Sequence, residues 1–136
     1  MTERFTTLKT KDIIKEIGGW WSARDMTPPP SFILPEDAYV RLSEEELTHI
    51  LFLYKTNSSI CWVGFPTANP DNDSVSKEVG LKSLLEYCEG EAKSEGYSVM
   101  FTTTNTPRVE FALGELGYKV GDQDINQHIK LLWEQD

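Results

Sequence analysis

The 136 residues are 39% hydrophobic and include four Trp, five Tyr and six Phe, enough apolar side chain to offset the entropy of ordering, which excludes a disordered chain. Thirteen Lys and Arg against 22 Asp and Glu give a net charge of −9, which repels phosphate backbones, so nucleic acid is not an expected partner. Two cysteines far apart, Cys61 and Cys88, with only His49 and His128 to help them, give no readable metal site.

The expected organisation is one domain over residues 1–136. The opening "MTERFTTLKT" lacks the apolar core of a signal peptide, and no apolar run approaches the roughly 18 residues that span a bilayer. A cytoplasmic location, without a membrane partner, is the corresponding expectation.

A first strand is read around Phe5 to Leu8. Thr10 is then placed as the cap of a helix whose Ile13, Ile14, Ile17, Trp20 and Trp21 recur at helical spacing. Two adjacent tryptophans are not expected both to point inward, which leaves one as an exposed anchor. "TPPPSFILPED" breaks the helix into an extended connection.

Three strand-like runs follow, "AYVRLS", "LTHILFLYKT" and "ICWVGFP". The short links "EEE" and "NSS" make them antiparallel neighbours. After the polar loop "TANPDNDS", a long helix carries Leu81, Leu84, Leu85, Cys88 and Ala92 on one face and stops at Gly96. "YSVMFTTT" reads as a strand central in a sheet. Thr106 as cap, with Pro107 at the first helical position, opens a helix closed by Gly117. "YKV" and "QHIKLLW" read as terminal strands. The order predicts an α/β (α+β) domain of three layers, a mixed and mostly antiparallel sheet covered by helices.

That order, with "TTNTPRVEFALGELGY" near its end, resembles the GNAT superfamily of acyl-CoA-dependent N-acyltransferases. The resemblance covers most of the chain as topology, while its residue matches are confined to about the last half. It implies acetyl-CoA as cofactor and an amine as acceptor, with Val63, Gly64 and Phe65 of the fourth strand, Gly80 and Asn105 as cofactor-binding positions, and Gly117 with Tyr118 as the Gly-aromatic pair.

The residues themselves leave alternatives open. Asn105 either bonds an acyl-CoA amide or turns the chain before Thr106. Gly64 marks a bulge that splays two strands, or relieves crowding between Trp62 and Phe65. Glu44, Glu45 and Glu46 include a candidate base, Glu46, or are simply a charged turn. His49 alternates with Leu47, Leu51 and Leu53, and is a base in the cleft or a core-face histidine. Cys61 is a nucleophile or, with no cation beside it in sequence, a buried structural thiol.

The sequence also departs from the family. Where the family has a glycine-rich pyrophosphate loop, "DNDSVSKEVGLKSLL" offers only Gly80 and places Asp71 and Asp73 toward the phosphates, with Lys77 and Lys82 as partial compensation. Leu113 occupies the place of the tyrosine that protonates the departing thiolate, and neighbouring Phe111 has no hydroxyl either. A short "NT..V.F...LG" pattern is similar to a GNAT-like internal virion protein of short-tailed phages. That second resemblance implies a GNAT-fold phage protein without catalysis, with a protein partner in the virion or the host.

Overall fold

The computed structural model describes residues 2–72, 74–104 and 106–132, and at 74 and 75 the backbone alone. Five strands and three α-helices follow one another as β1 (Glu3–Lys9), α1 (Thr10–Ser22), β2 (Asp37–Ser43), β3 (Glu46–Tyr54), β4 (Ile60–Ala68), α2 (Ser74–Ser94), β5 (Val99–Thr102) and α3 (Pro107–Glu115), with a short 3₁₀ turn at Ser31–Ile33. The strands lie side by side in chain order. β1 to β4 are antiparallel, and β5 joins parallel to β4 after the α2 crossover. The mixed α/β sandwich expected from the sequence is the one observed.

Each sheet face has its own core. α1 lays Ile13, Ile17, Trp20 and Trp21 on Val40, Ile50 and Phe52, while α2 lays Leu81, Leu84, Leu85 and Cys88 on Tyr39, Leu51, Leu53, Cys61 and Val63. Both tryptophans are buried, against the expectation that one stays outside. Neighbouring helical residues point about 100° apart, and α1 is the one α-helix on its side of the core among the described residues, so the sheet face is broad enough to receive both.

Three further expectations are corrected. Thr10 begins α1 but does not cap it, because its hydroxyl donates to the carbonyl of Pro35 at 2.7 Å and so ties the helix to the segment entering β2. β5 is an edge strand among the described residues, with Val99 and Phe101 exposed. The terminal strands do not form over the described residues 118–132, whose Val120, Ile125, Ile129 and Leu132 stay exposed. No helix among the described residues is long and apolar enough to cross a membrane.

Two irregularities decide which way β3 and β4 point their side chains. At the start of β3, Arg41 pairs with His49 while Leu42 pairs with Leu47, so Thr48 is an extra residue. This bulge puts Leu47 on the α1 side and His49 on the α2 side, breaking the alternation read from sequence. In β4, Phe65 and Pro66 stand where β3 has only Leu51 between the pairs Phe52–Gly64 and Ile50–Thr67.

Candidate active site

The site is built on a fork in the sheet. β4 and β5 are paired from Ile60–Val99 to Val63–Thr102, where β5 ends while β4 runs on to Ala68. The Thr102 hydroxyl donates to the Val63 carbonyl at 3.0 Å and closes the last pair. Beyond it, Gly64–Ala68 have no strand on the β5 side among the described residues, so that edge of the β4 backbone is left without a strand partner.

The β4 bulge falls at this edge. Phe65 takes a left-handed φ of 52°, rare for a bulky residue, and Pro66 has no N–H to give to a neighbouring strand. Gly64 is beside the bulge rather than its left-handed residue. A Cβ on Gly64 would come within 3.0 Å of the Tyr54 ring, so the glycine admits Tyr54, and the crowding it relieves is not between Trp62 and Phe65. Trp62 and Phe101, a register pair of β4 and β5, stack at 5.9 Å before the fork.

The candidate bases lie elsewhere. Glu44 and Glu45 form the two-residue turn between β2 and β3, Glu44 accepting from the Thr2 amide and Glu45 gripping Arg4, while Glu46 is exposed at the strand start. His49 is fully buried. Its Nε2 donates to the Lys77 carbonyl at 3.0 Å and its Nδ1 faces the Thr48 hydroxyl at 2.9 Å. Burial lowers its pKa to about 4, the Lys77 carbonyl opposes that shift, and Arg41 adds to it. A neutral imidazole held this way is part of the structure's polar interior.

Gly80 has a structural neighbour as well. It lies in the second turn of α2, and a Cβ there would collide with the His49 ring. The glycine lets α2 pass close over β3, a packing role, and none of the described loop residues ahead of α2 is a glycine. Asn69 organises that loop, its side-chain oxygen accepting from the Asp71 amide at 3.0 Å. Lys82 is engaged with Glu115 of α3. Asn105 and Asp73, both expected at the cofactor, lie outside the described residues.

Cys61 is buried with its thiol toward the Val99 carbonyl, and burial pushes its pKa up, the opposite of what a nucleophile needs. Leu113 packs into the α2-side core, Phe111 is exposed, and the Tyr118 hydroxyl is turned to the sulfur of Met100 at 3.2 Å. No group of three or more His, Cys, Asp or Glu suited to a metal occurs among the described residues.

Sequence reasoning missed the charge at the fork. Arg24, just past α1, donates to the carbonyls of Trp20 and Ala68 and to the Thr67 hydroxyl, so it is bolted to the far end of β4. Arg108 stands in the first turn of α3, the helix that follows β5. Nothing local marks either one, since Arg24 precedes Asp25 and Arg108 lies two residues before Glu110.

Solved acetyltransferases share this strand and helix arrangement as a fold. A probable acetyltransferase superposes with a TM-score of 0.71 at 16% identity, covering 98% of this chain and 100% of that one. The fold is that of the GNAT acetyltransferases. A GNAT-family acetyltransferase from Streptococcus pneumoniae TIGR4 matches at a TM-score of 0.65 and 15% identity over 98% of this chain and all of its own. A ribosomal-protein-alanine N-acetyltransferase from Brucella melitensis biovar Abortus 2308 matches at 0.70 and 12% over 96% and 100%. No protein-family model matches the sequence. No curated protein matches it either.

Proposed function

We propose that the chain is a divergent GNAT-like N-acyltransferase that uses acetyl-CoA or a related acyl-CoA to modify an amine. The observation that carries this reading is the fork itself: β4 extends past Val63 with a bulge and, among the described residues, no strand on the β5 side, offering backbone groups to an amide-bearing ligand. The acyl and pantetheine end of the cofactor fits this edge, where Val63, Gly64 and Phe65 would hold it. Asn105 is proposed for its other side.

The cofactor, when bound, supplies the thioester that the amine attacks. This chain's part is to orient that thioester along β4, with backbone amides as the available oxyanion donors. The described residues show no tyrosine acid on α3. The amine would then be deprotonated by solvent, not by the buried His49.

A second reading is favoured by two observations. Gly80, the only glycine of the expected phosphate loop, is committed to His49, and Leu113 is committed to the core. These fit a GNAT fold without catalysis, such as a phage protein acting in the virion or on a host protein. Calorimetric titration with acetyl-CoA, and with CoA alongside, separates the two. Saturable micromolar binding is expected for the transferase, whereas no heat at about a hundred micromolar protein would sink it.

A further inference from the structure

Four arginines occur in this chain, Arg4, Arg24, Arg41 and Arg108. Two are neutralised in the ordinary way, Arg4 by Glu45 and Arg41 by Glu3. The other two, Arg24 and Arg108, have no carboxylate partner among the described residues, although carboxylates outnumber cations 22 to 13. Arg24 is fixed at the end of β4, and Arg108 is exposed in the first turn of α3, the helix that follows β5.

Arg24 is the more informative. It is half-buried, and three of its five N–H donors are spent on Trp20, Thr67 and Ala68. The Nε–H and one N–H on Nη2 have no partner among the described residues. A fork of this kind grips a planar or tetrahedral anion with two parallel hydrogen bonds, as Arg4 grips Glu45 through the same two nitrogens. Burying such a group without an anion is costly. The field of Arg108 reaches it, and after burial is the second cause that lowers the Arg24 pKa.

We propose that Arg24 and Arg108 form an anion-binding rim at the open end of the β4–β5 fork, selecting an acceptor amine that carries a phosphate or carboxylate group. The assignment to the acceptor rests on the acyl-transfer reading above, whereas the rim stands on the two arginines alone. Arg24 comes from the end of α1 and Arg108 from α3, which packs on the α2-side core, so the two approach the end of the fork from opposite faces of the sheet. A neutral or purely cationic amine has nothing to satisfy these donors.

The test is an NMR titration of the full chain with inorganic phosphate, read at the arginine Nε–H and the Trp20 indole signals. CoA is titrated separately. Phosphate is expected to shift the signals of both Arg24 and Arg108. The exposed R108Q, which leaves the core untouched, and R24K, which keeps the charge but loses the fork, are each expected to weaken phosphate by about tenfold. CoA affinity should change by less than about twofold on the same scale. Phosphoethanolamine should displace phosphate and ethanolamine should not.

Phosphate binding equal to wild type in both variants, or shifts elsewhere than at the arginines, overturns the rim. Loss of CoA affinity in parallel with phosphate, or phosphoethanolamine that fails to compete, overturns the acceptor assignment. Arginine-dependent phosphate binding in a protein that binds no CoA supports the rim and sinks the acyl-transfer reading instead.

Discussion

Gly80 of α2 lies against the imidazole of His49 on β3, so closely that a single methyl at position 80 would occupy the space of the ring. The ring has little freedom to retreat, being held at both nitrogens by Lys77 and Thr48. Gly80→Ala is therefore expected to destabilise the fold by about 2 kcal/mol despite alanine's better helix propensity. In a His49→Ala background the same substitution should become neutral or stabilising. Urea unfolding of the four proteins checks this, and additive effects would show that the contact is not the cause.

His49 also makes stability depend on pH. Its folded pKa, about 4, lies below its ordinary 6.5, so the unfolded chain takes up the proton first. The contribution is present in full above pH 6.5 and is lost as pH falls toward 4. For one group shifted this far the loss is about 3 kcal/mol. His49→Gln should flatten the pH dependence in that window by about one proton. Comparing the two proteins cancels the carboxylates common to both, including Glu3, whose field also reaches the ring.

The turn between β2 and β3 is strained. Glu44 and Glu45 have φ of 52° and 64°, both in the left-handed region that Asn-Gly occupies far more readily. Replacing the pair by Asn-Gly is expected to raise stability by about 1–2 kcal/mol even though the exposed Glu45–Arg4 bridge is lost. A thermal midpoint that falls instead would show that Glu44 and its bond to the Thr2 amide hold β1 in place.

At the fork, Thr102→Val removes the hydroxyl that satisfies the Val63 carbonyl. The expected loss is about 1 kcal/mol. Amide exchange should accelerate around Val63 and Thr102 more than at the β2–β3 pair. Uniform acceleration would mean that Thr102 supports the whole sheet and not the fork.

The fold was legible because its signals are local. The strand-like runs of β2 to β4 with their short links, Pro107 at a helix start, and Gly96 and Gly117 with φ of 96° and 90° at helix ends each depend on a few adjacent residues. The candidate site was less legible, since its features arise between distant segments. No spacing reveals that Thr48 will bulge and turn His49 toward Gly80, or that Arg24 will reach Ala68 across 44 positions. Gly64 drew attention to the right strand, but the left-handed residue is Phe65, a type that sequence rules would not choose. The terminal apolar residues Ile129 and Leu131 have strand-like spacing, yet spacing alone cannot supply a partner.

Because the five strands are neighbours in the order in which they are written, each antiparallel partner is available as soon as it emerges during synthesis. β2, β3 and β4 can zip successively behind β1. Only β5 must wait, since its pairing with β4 requires the whole of α2 to be made and laid across the sheet. The fork would thus be the last part of the sheet to assemble, onto a scaffold already in place. Substitutions there should leave the rate of folding nearly unchanged and appear instead in the rate of unfolding.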